Sequence, residues 1–288
     1  MTPTKEPQQE EQWDLEIRPH GGLFDLHLGE VWRYRDLLTL FVRRDLVAVY
    51  KQTILGPIWF FVQPLLTTAI YFIIFTQVAK ISSDEIPPVL FYLSGIVSWN
   101  YFAECLTKTS NTFVENAAVF GKVYFPRLIS PLSVVISNLI KFGIQFSLFL
   151  IILLVYVIHD YQFVFNATIL LLPFTIVLMA LLGLGLGMII SSLTTKYRDL
   201  TYLITFGVQL LMYATPVIYP TSILEEPYKS WVMSNPMSPL IETFRTAFLG
   251  GGQVEWYYLF QSTGVTILIV IVGVIIFQRV EKGFVDTV

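Results

Sequence analysis

The chain has 288 residues, of which 55% are hydrophobic and only 14% charged, with a formal net charge of −3. A soluble domain usually carries about a quarter charged residues, so a water-soluble globular enzyme or nucleic-acid binder is excluded as the ordinary reading. The single cysteine, Cys105, excludes an intramolecular disulfide and any multi-cysteine metal or cluster site.

The first stretch, 1–28, is polar, with Glu6, Glu10, Glu11, Asp14 and Glu16. It lacks the basic start and early apolar core of a secretory signal. It is expected to be a flexible cytosolic tail, ahead of a transmembrane domain over 29–288. Residues 31–50 mix two patterns. Leu37, Leu38, Phe41, Val42, Leu46 and Val49 recur at helical spacing, while Arg35, Arg43, Arg44 and Lys51 supply charge. That pattern predicts an amphipathic helix, lying either in the membrane interface with its arginines toward headgroups or packed on protein.

Six membrane-spanning helices are predicted next, at roughly 56–79, 87–107, 132–158, 166–192, 200–219 and 257–278, because each stretch approaches or exceeds the length that crosses a bilayer. The fold class is therefore an all-α membrane protein with six transmembrane helices. The loop at about 108–128 holds Lys108, Glu115, Lys122 and Arg127. Basic residues accumulate on one side of the spans, from Arg33 to Lys51 and again at Lys108, Lys122, Arg127, Lys196, Arg198, Arg279 and Lys282, against Lys80, Lys229 and Arg245 on the other. This bias places both termini in the cytosol. The segment 220–256 is too long for a tight turn and too apolar for a plain loop. Leu240, Ile241, Phe244, Ala247 and Phe248 share a helical face after Pro239, and Gly250-Gly251-Gly252 supplies a stop. Two short re-entrant helices, dipping into the outer leaflet between spans five and six, are predicted there.

The chemistry is defined largely by what is missing. No G-x-x-x-x-G-K-[ST] loop occurs; Gly183-Leu184-Gly185-Leu186-Gly187 sits mid-span without a lysine. Nothing therefore cradles a nucleotide phosphate, and the glycines suit close helix packing at small-xxx-small spacing better than a hinge. His20, His27 and His159 are dispersed, with no H-E-x-x-H motif and no nucleophile elbow. Catalytic residues, metal ligands and bound cofactors are not expected. The ionisable residues inside spans are few. Lys141 either snorkels to the headgroups, pairs with Glu104, or contacts phosphate on a lipid-linked substrate. An ion-driven relay needs more than this, so the energy source is expected in a separate ATPase. The aromatic residues Tyr71, Phe72, Trp99, Tyr202, Phe206 and Tyr213 are either interface and lipid-facing bulk or the lining of a pathway. In the second case sugar rings would slide over them with weak, repeated contacts.

Four stretches carry a family resemblance. They are Tyr34-Arg35-Asp36-Leu37-Leu38 followed by Tyr50-Lys51-Gln52-Thr53-Ile54-Leu55-Gly56-Pro57-Ile58-Trp59; Lys122-Val123-Tyr124-Phe125-Pro126-Arg127; Thr215-Pro216-Val217-Ile218-Tyr219-Pro220; and Asn235-Pro236-Met237 through Pro239, Ile241, Glu242, Phe244 and Arg245. In this order they resemble ABC-2 type permeases that export polysaccharides such as O-antigen, capsule and teichoic acid. The resemblance implies a bacterial inner-membrane exporter of a lipid-linked polysaccharide, built as a homodimer with two copies of an ABC ATPase that binds ATP and Mg. It implies contact with membrane lipid and none with nucleic acid. By the same resemblance Leu55, Gly56 and Pro57, with Asn116, Phe120 and Lys122 of the loop, would meet the ATPase. Tyr202, Phe206, Tyr213, Tyr71, Phe72 and Trp99 would line the substrate pathway, and Pro236, Leu240, Phe244 and Arg245 would form an outer gate. The rivals are an ABC-2 exporter of a drug or other small molecule, and a membrane-embedded enzyme or scaffold without an ATPase.

Overall fold

The computed structural model describes residues 28–51, 54, 56–84, 86–120, 122–123, 125–159, 161, 166–197, 199–250 and 254–284. The acidic tail and Leu55 lie outside the described residues, as do Gly251 and Gly252. All regular structure among the described residues is helical. In chain order the helices are α1 (Leu28–Arg33), α2 (Arg35–Tyr50), α3 (Gly56–Val78), α4 (Pro88–Ser110), α5 (Thr112–Phe120), α6 (Ile129–Ile158), α7 (Ala167–Thr194), α8 (Leu200–Tyr213), α9 (Tyr228–Ser234), α10 (Met237–Leu249) and α11 (Trp256–Phe284).

Five of these, α3, α4, α6, α7 and α11, are long and apolar enough to cross a membrane. The span expected at 200–219 is shorter as a helix. α8 stops at Tyr213, and its 14 residues rise only about 21 Å against a hydrocarbon core of about 30 Å. Pro216 is the physical reason: it has no N–H to donate and disfavours helical backbone at Thr215. α10 ends as expected, with Gly250 in the left-handed region at φ 69°.

α4 is the hub. It is buried along most of its length and packs against α3, α6, α7, α8 and α10. The glycine-rich stretch of α7 makes the closest approach. A Cβ at Gly187 would lie 2.5 Å from Thr109 Cβ, and one at Gly183 would lie 2.8 Å from Cys105 Cβ. The glycines thus serve helix packing, as their spacing indicated. On the other side of α7, a Cβ at Gly273 of α11 would meet the Gly185 carbonyl oxygen at 2.6 Å. Gly187→Val is expected to force α4 and α7 apart and to cost at least about 1–3 kcal/mol. The check is thermal unfolding in detergent, with Gly207→Val on open α8 as the tolerated comparison.

The main core joins α4, α6, α7 and α10, with Phe142, Phe149, Phe244 and Phe248 among its rings. A second cluster at one end of the bundle joins Phe41, Phe113, Phe120, Phe125, Ile129 and Phe277. It settles the two readings of the amphipathic helix for one face. Leu37, Leu38 and Phe41 pack on protein, while Trp32 and Leu40 stay exposed.

Candidate functional site

α8 has no buried residue. Ile204, Val208, Leu211 and Met212 rest against the core, and the opposite side is open. Tyr202 is 83% exposed, Phe206 58% and Tyr213 55%. Thr205 and Gln209 are exposed between them. These positions follow helical spacing, so they form one outward stripe of rings, a hydroxyl and an amide. Thr205 bonds back to the Thr201 carbonyl at 3.1 Å. In hydrocarbon, the tyrosine hydroxyls and the Gln209 amide would cost free energy for want of partners. Such a face calls for cover by another subunit or for a hydrated pathway.

α3 widens the same surface. It is exposed over most of its length, including Gln63 and Gln77. The two helices meet where the Tyr71 hydroxyl reaches Met212 Sδ at 3.6 Å. Of the six expected pathway residues, Tyr202, Phe206 and Tyr213 share the open stripe, and Tyr71 and Phe72 are half-buried at its edge. Trp99 leaves the set: it is 4% exposed, with its ring 5.3 Å from Phe102. α4 is surrounded by other helices and offers no free face there. Sequence reasoning missed Thr205, Gln209 and Gln63; their signal was polar residues at helical spacing inside apolar stretches.

The expected ATPase-contact residues divide in the same way. Asn116 is buried. It accepts a hydrogen bond from Arg44 Nη1 at 3.1 Å and donates to the Thr112 carbonyl and Ser130 Oγ at 3.0 Å each. Phe120 is buried against Phe113, Phe125 and the Arg127 guanidinium. Both are internal struts that fix α5 to α2 and α6. A helix as short as α5 needs such packing to hold its shape. The surface it offers outward is Val114, Glu115 and Ala118, followed by Lys122 and Val123. Burial pushes the Glu115 carboxyl above its ordinary range, opposed by Lys108. Gly56 opens α3 with φ 54°, and Pro57 is exposed beside it.

At the opposite end, the residues expected at an outer gate are anchored instead. Leu240 and Phe244 are fully buried, with Phe244 ringed by Phe142, Phe146, Phe149 and Phe248. The Pro236 carbonyl accepts from Ser262 Oγ of α11 at 2.6 Å. Arg245, 1% exposed, donates from Nη1 to the Pro216 carbonyl and from Nη2 to the Val217 carbonyl at 2.6 Å. It also pairs with Glu242 at 3.0 Å and stacks over Phe91 at 3.8 Å. Its guanidinium thus caps the carbonyls freed where α8 breaks. A Cβ at Gly95 would lie 2.7 Å from Arg245 Nη2, so only glycine admits this arrangement. The exposed side of the hairpin is α9, with Tyr228 and Trp231 outward.

Lys141 is resolved between its readings. Its ammonium meets Glu104 at 3.1 Å and Asn138 Oδ1 at 3.2 Å, and Lys108 reaches the same Glu104 oxygen at 3.4 Å. It is held inside the bundle rather than snorkelling. Among the described residues, no group of three or more His, Cys, Asp and Glu side chains is placed to hold a metal.

Known proteins are similar to this chain in sequence. The family model described as ABC-2 type transporter matches residues 36–249. An O-antigen export system permease protein, RfbA, of Klebsiella pneumoniae is 29% identical over 255 residues, covering 87% of this chain and 94% of that protein. The protein of the same name from Myxococcus xanthus is 26% identical over 261 residues, covering 90% and 98%. The polysialic acid transport protein KpsM of Escherichia coli is 20% identical over 242 residues, covering 83% and 92%.

Proposed function

Because this chain belongs to the ABC-2 type transporter family, we propose that it is the membrane-spanning subunit of an ATP-driven exporter that carries a lipid-linked, O-antigen-like polysaccharide across a bacterial inner membrane. The observation that carries this reading is the open stripe of Tyr202, Phe206, Gln209 and Tyr213 on a helix with no buried residue. A second copy of the chain covers the α3 and α8 faces and closes a pathway between them. Rings and amides suit a sugar polymer there, because each hexose presents both C–H faces and hydroxyls.

Two copies of a separate ATPase bind ATP and Mg and drive the cycle. Their docking face is the outward side of α5 with Lys122, Val123 and the Gly56-Pro57 turn. Asn116 and Phe120 pass motion inward by tying α5 to α2 and α6. Both termini lie in the cytosol, on the side of the basic loops. α8 crosses as the fifth span in chain order and brings the number of spans to six, completed by the non-helical 214–219 segment. Irregular backbone at membrane depth is tolerated only when protein or a cavity covers it, and the Arg245 cap supports this assignment. α9 and α10 form the re-entrant hairpin on the outer side.

Co-purification with an ABC ATPase subunit from the same cells tests the reading. A stable complex with two copies of each chain and vanadate-sensitive hydrolysis is expected; a chain that recruits no ATPase, and whose deletion leaves surface polysaccharide intact, would refute it. The dimer face has its own test. Cys105 is buried, so Gln209→Cys is expected to cross-link to its copy in membranes on mild oxidation. Ile151→Cys on α6 is expected to stay monomeric.

A further inference from the structure

A cavity of about 330 Å³ lies at the end of the bundle where α4 begins, opposite the end that carries α5. That volume falls within the roughly 300–1,000 Å³ of small-molecule sites. Its wall comes from the turn into α4, the 220–222 segment after α8, the α9–α10 hairpin, and Val254-Glu255 before α11. Asp84 and Ser222 are both exposed at its rim, so it opens to the outside. The Tyr213 carbonyl, at the end of the open stripe of α8, accepts from the Tyr219 hydroxyl at 3.2 Å. The wall begins one residue later, at Pro220.

The polar lining is rich in acceptors. Asp84 Oδ1 accepts from Ser222 Oγ at 2.7 Å, Glu255 Oε1 meets Lys229 at 2.9 Å, and Glu242 Oε1 meets Arg245 at 3.0 Å. The second oxygen of each carboxylate has no donor among the described residues, and none of the three residues is fully buried. Three carboxylates stand against two cations, both already paired, so the lining carries a formal negative excess. It repels a sugar acid or a phosphate. A metal ion needs its ligands to converge, and among the described residues no three acidic groups do. Acceptors spread around a rim suit instead a ligand with donors spread around a ring. The hydroxyls of a neutral sugar are such donors, and hydrogen bonds to carboxylates are the strong kind. Pro220, Met233 and Val254 supply apolar wall for its C–H faces.

We propose that this cavity is an outer subsite for one neutral sugar residue of the exported polymer, its hydroxyls donating to the free oxygens of Asp84, Glu242 and Glu255. The assignment rests on the polysaccharide reading above and narrows it to a polymer with uncharged residues. The sugar is held here after leaving the α8 stripe, which disfavours its return.

The test is calorimetric titration of the purified full-length chain in nanodiscs with neutral trisaccharides (mannotriose, galactotriose and N-acetylchitotriose), a sialic acid trimer and spermidine. At least one neutral trimer is expected to bind tenfold more tightly than the sialic acid trimer. Asp84→Asn with Glu255→Gln is expected to weaken that binding at least tenfold, with the unfolding midpoint little changed. Asparagine tolerates the left-handed backbone at Asp84, where φ is 51°, and an exposed ion pair adds little stability. Should the double variant fail to fold, Asp84→Asn alone decides. Absence of binding by all three neutral trimers would overturn the proposal, as would equal binding of the sialic acid trimer or of spermidine. Neutral binding unchanged in the variants would place the sugar elsewhere and overturn it too. An intact complex with the ATPase but no sugar binding here would sink the subsite alone, whereas failure to recruit an ATPase would sink the export reading.

Discussion

Arg245→Ala is expected to be the most damaging single substitution in the chain. It leaves the Pro216 and Val217 carbonyls without their donor and Glu242 without its partner, all at a site 1% exposed. Breaking a buried, hydrogen-bonded ion pair costs about 3–5 kcal/mol, a large share of the 5–15 kcal/mol that typically separates folded from unfolded domains. Thermal unfolding in nanodiscs should show a marked drop in midpoint, with loss of surface polymer in cells. Arg245→Lys should recover little, because an ammonium lacks the planar fork that reaches two carbonyls at once. Glu242→Gln should be milder, since the guanidinium keeps both carbonyls. A fully stable Arg245→Ala protein would show that the break after α8 needs no cap.

The second large effect falls on transport rather than folding. Replacing Tyr202, Phe206 and Tyr213 together by alanine removes rings that are more than half exposed, so folding should change little. Each ring contact with a sugar face is worth about 0.5–1.5 kcal/mol, by analogy with aromatic pairs. Three together exceed the 1.4 kcal/mol that equals a tenfold change. Surface polymer should therefore fall about tenfold or more, while the ATPase still co-purifies. Ile151→Ala with Leu154→Ala on α6 is the matched control: equally exposed and apolar, but expected to face lipid. Unchanged export in the triple variant would assign the stripe to subunit packing alone.

These two expectations differ in how visible their basis was in the sequence. Arg245 stood out as one cation in an apolar segment and, by the resemblance, as part of an outer gate, but nothing local ties it to residues 216 and 217. The carbonyls need a donor because Pro216 breaks α8, and the donor comes from a helix almost thirty positions later. Tyr202, Phe206 and Tyr213 were legible as one helical face, because spacing alone decides which residues share a side.

What the sequence determined by itself was the class and the frame: long apolar helices, an amphipathic start, the glycine stop after α10, and glycines on α7 suited to close approach. These follow from local rules, namely hydropathy, helical period and the backbone freedom of glycine. Tertiary structure alone decided which faces are covered. It turned Trp99 inward on α4, drew Asn116 and Phe120 into the interior, paired Lys141 with Glu104, and set Leu240 and Phe244 in the core. The physical reason is that an apolar helix in a membrane carries no strong mark of inside and outside. Lipid and protein core are both apolar, so hydropathy cannot tell the two faces apart; only the neighbours that close around each helix do.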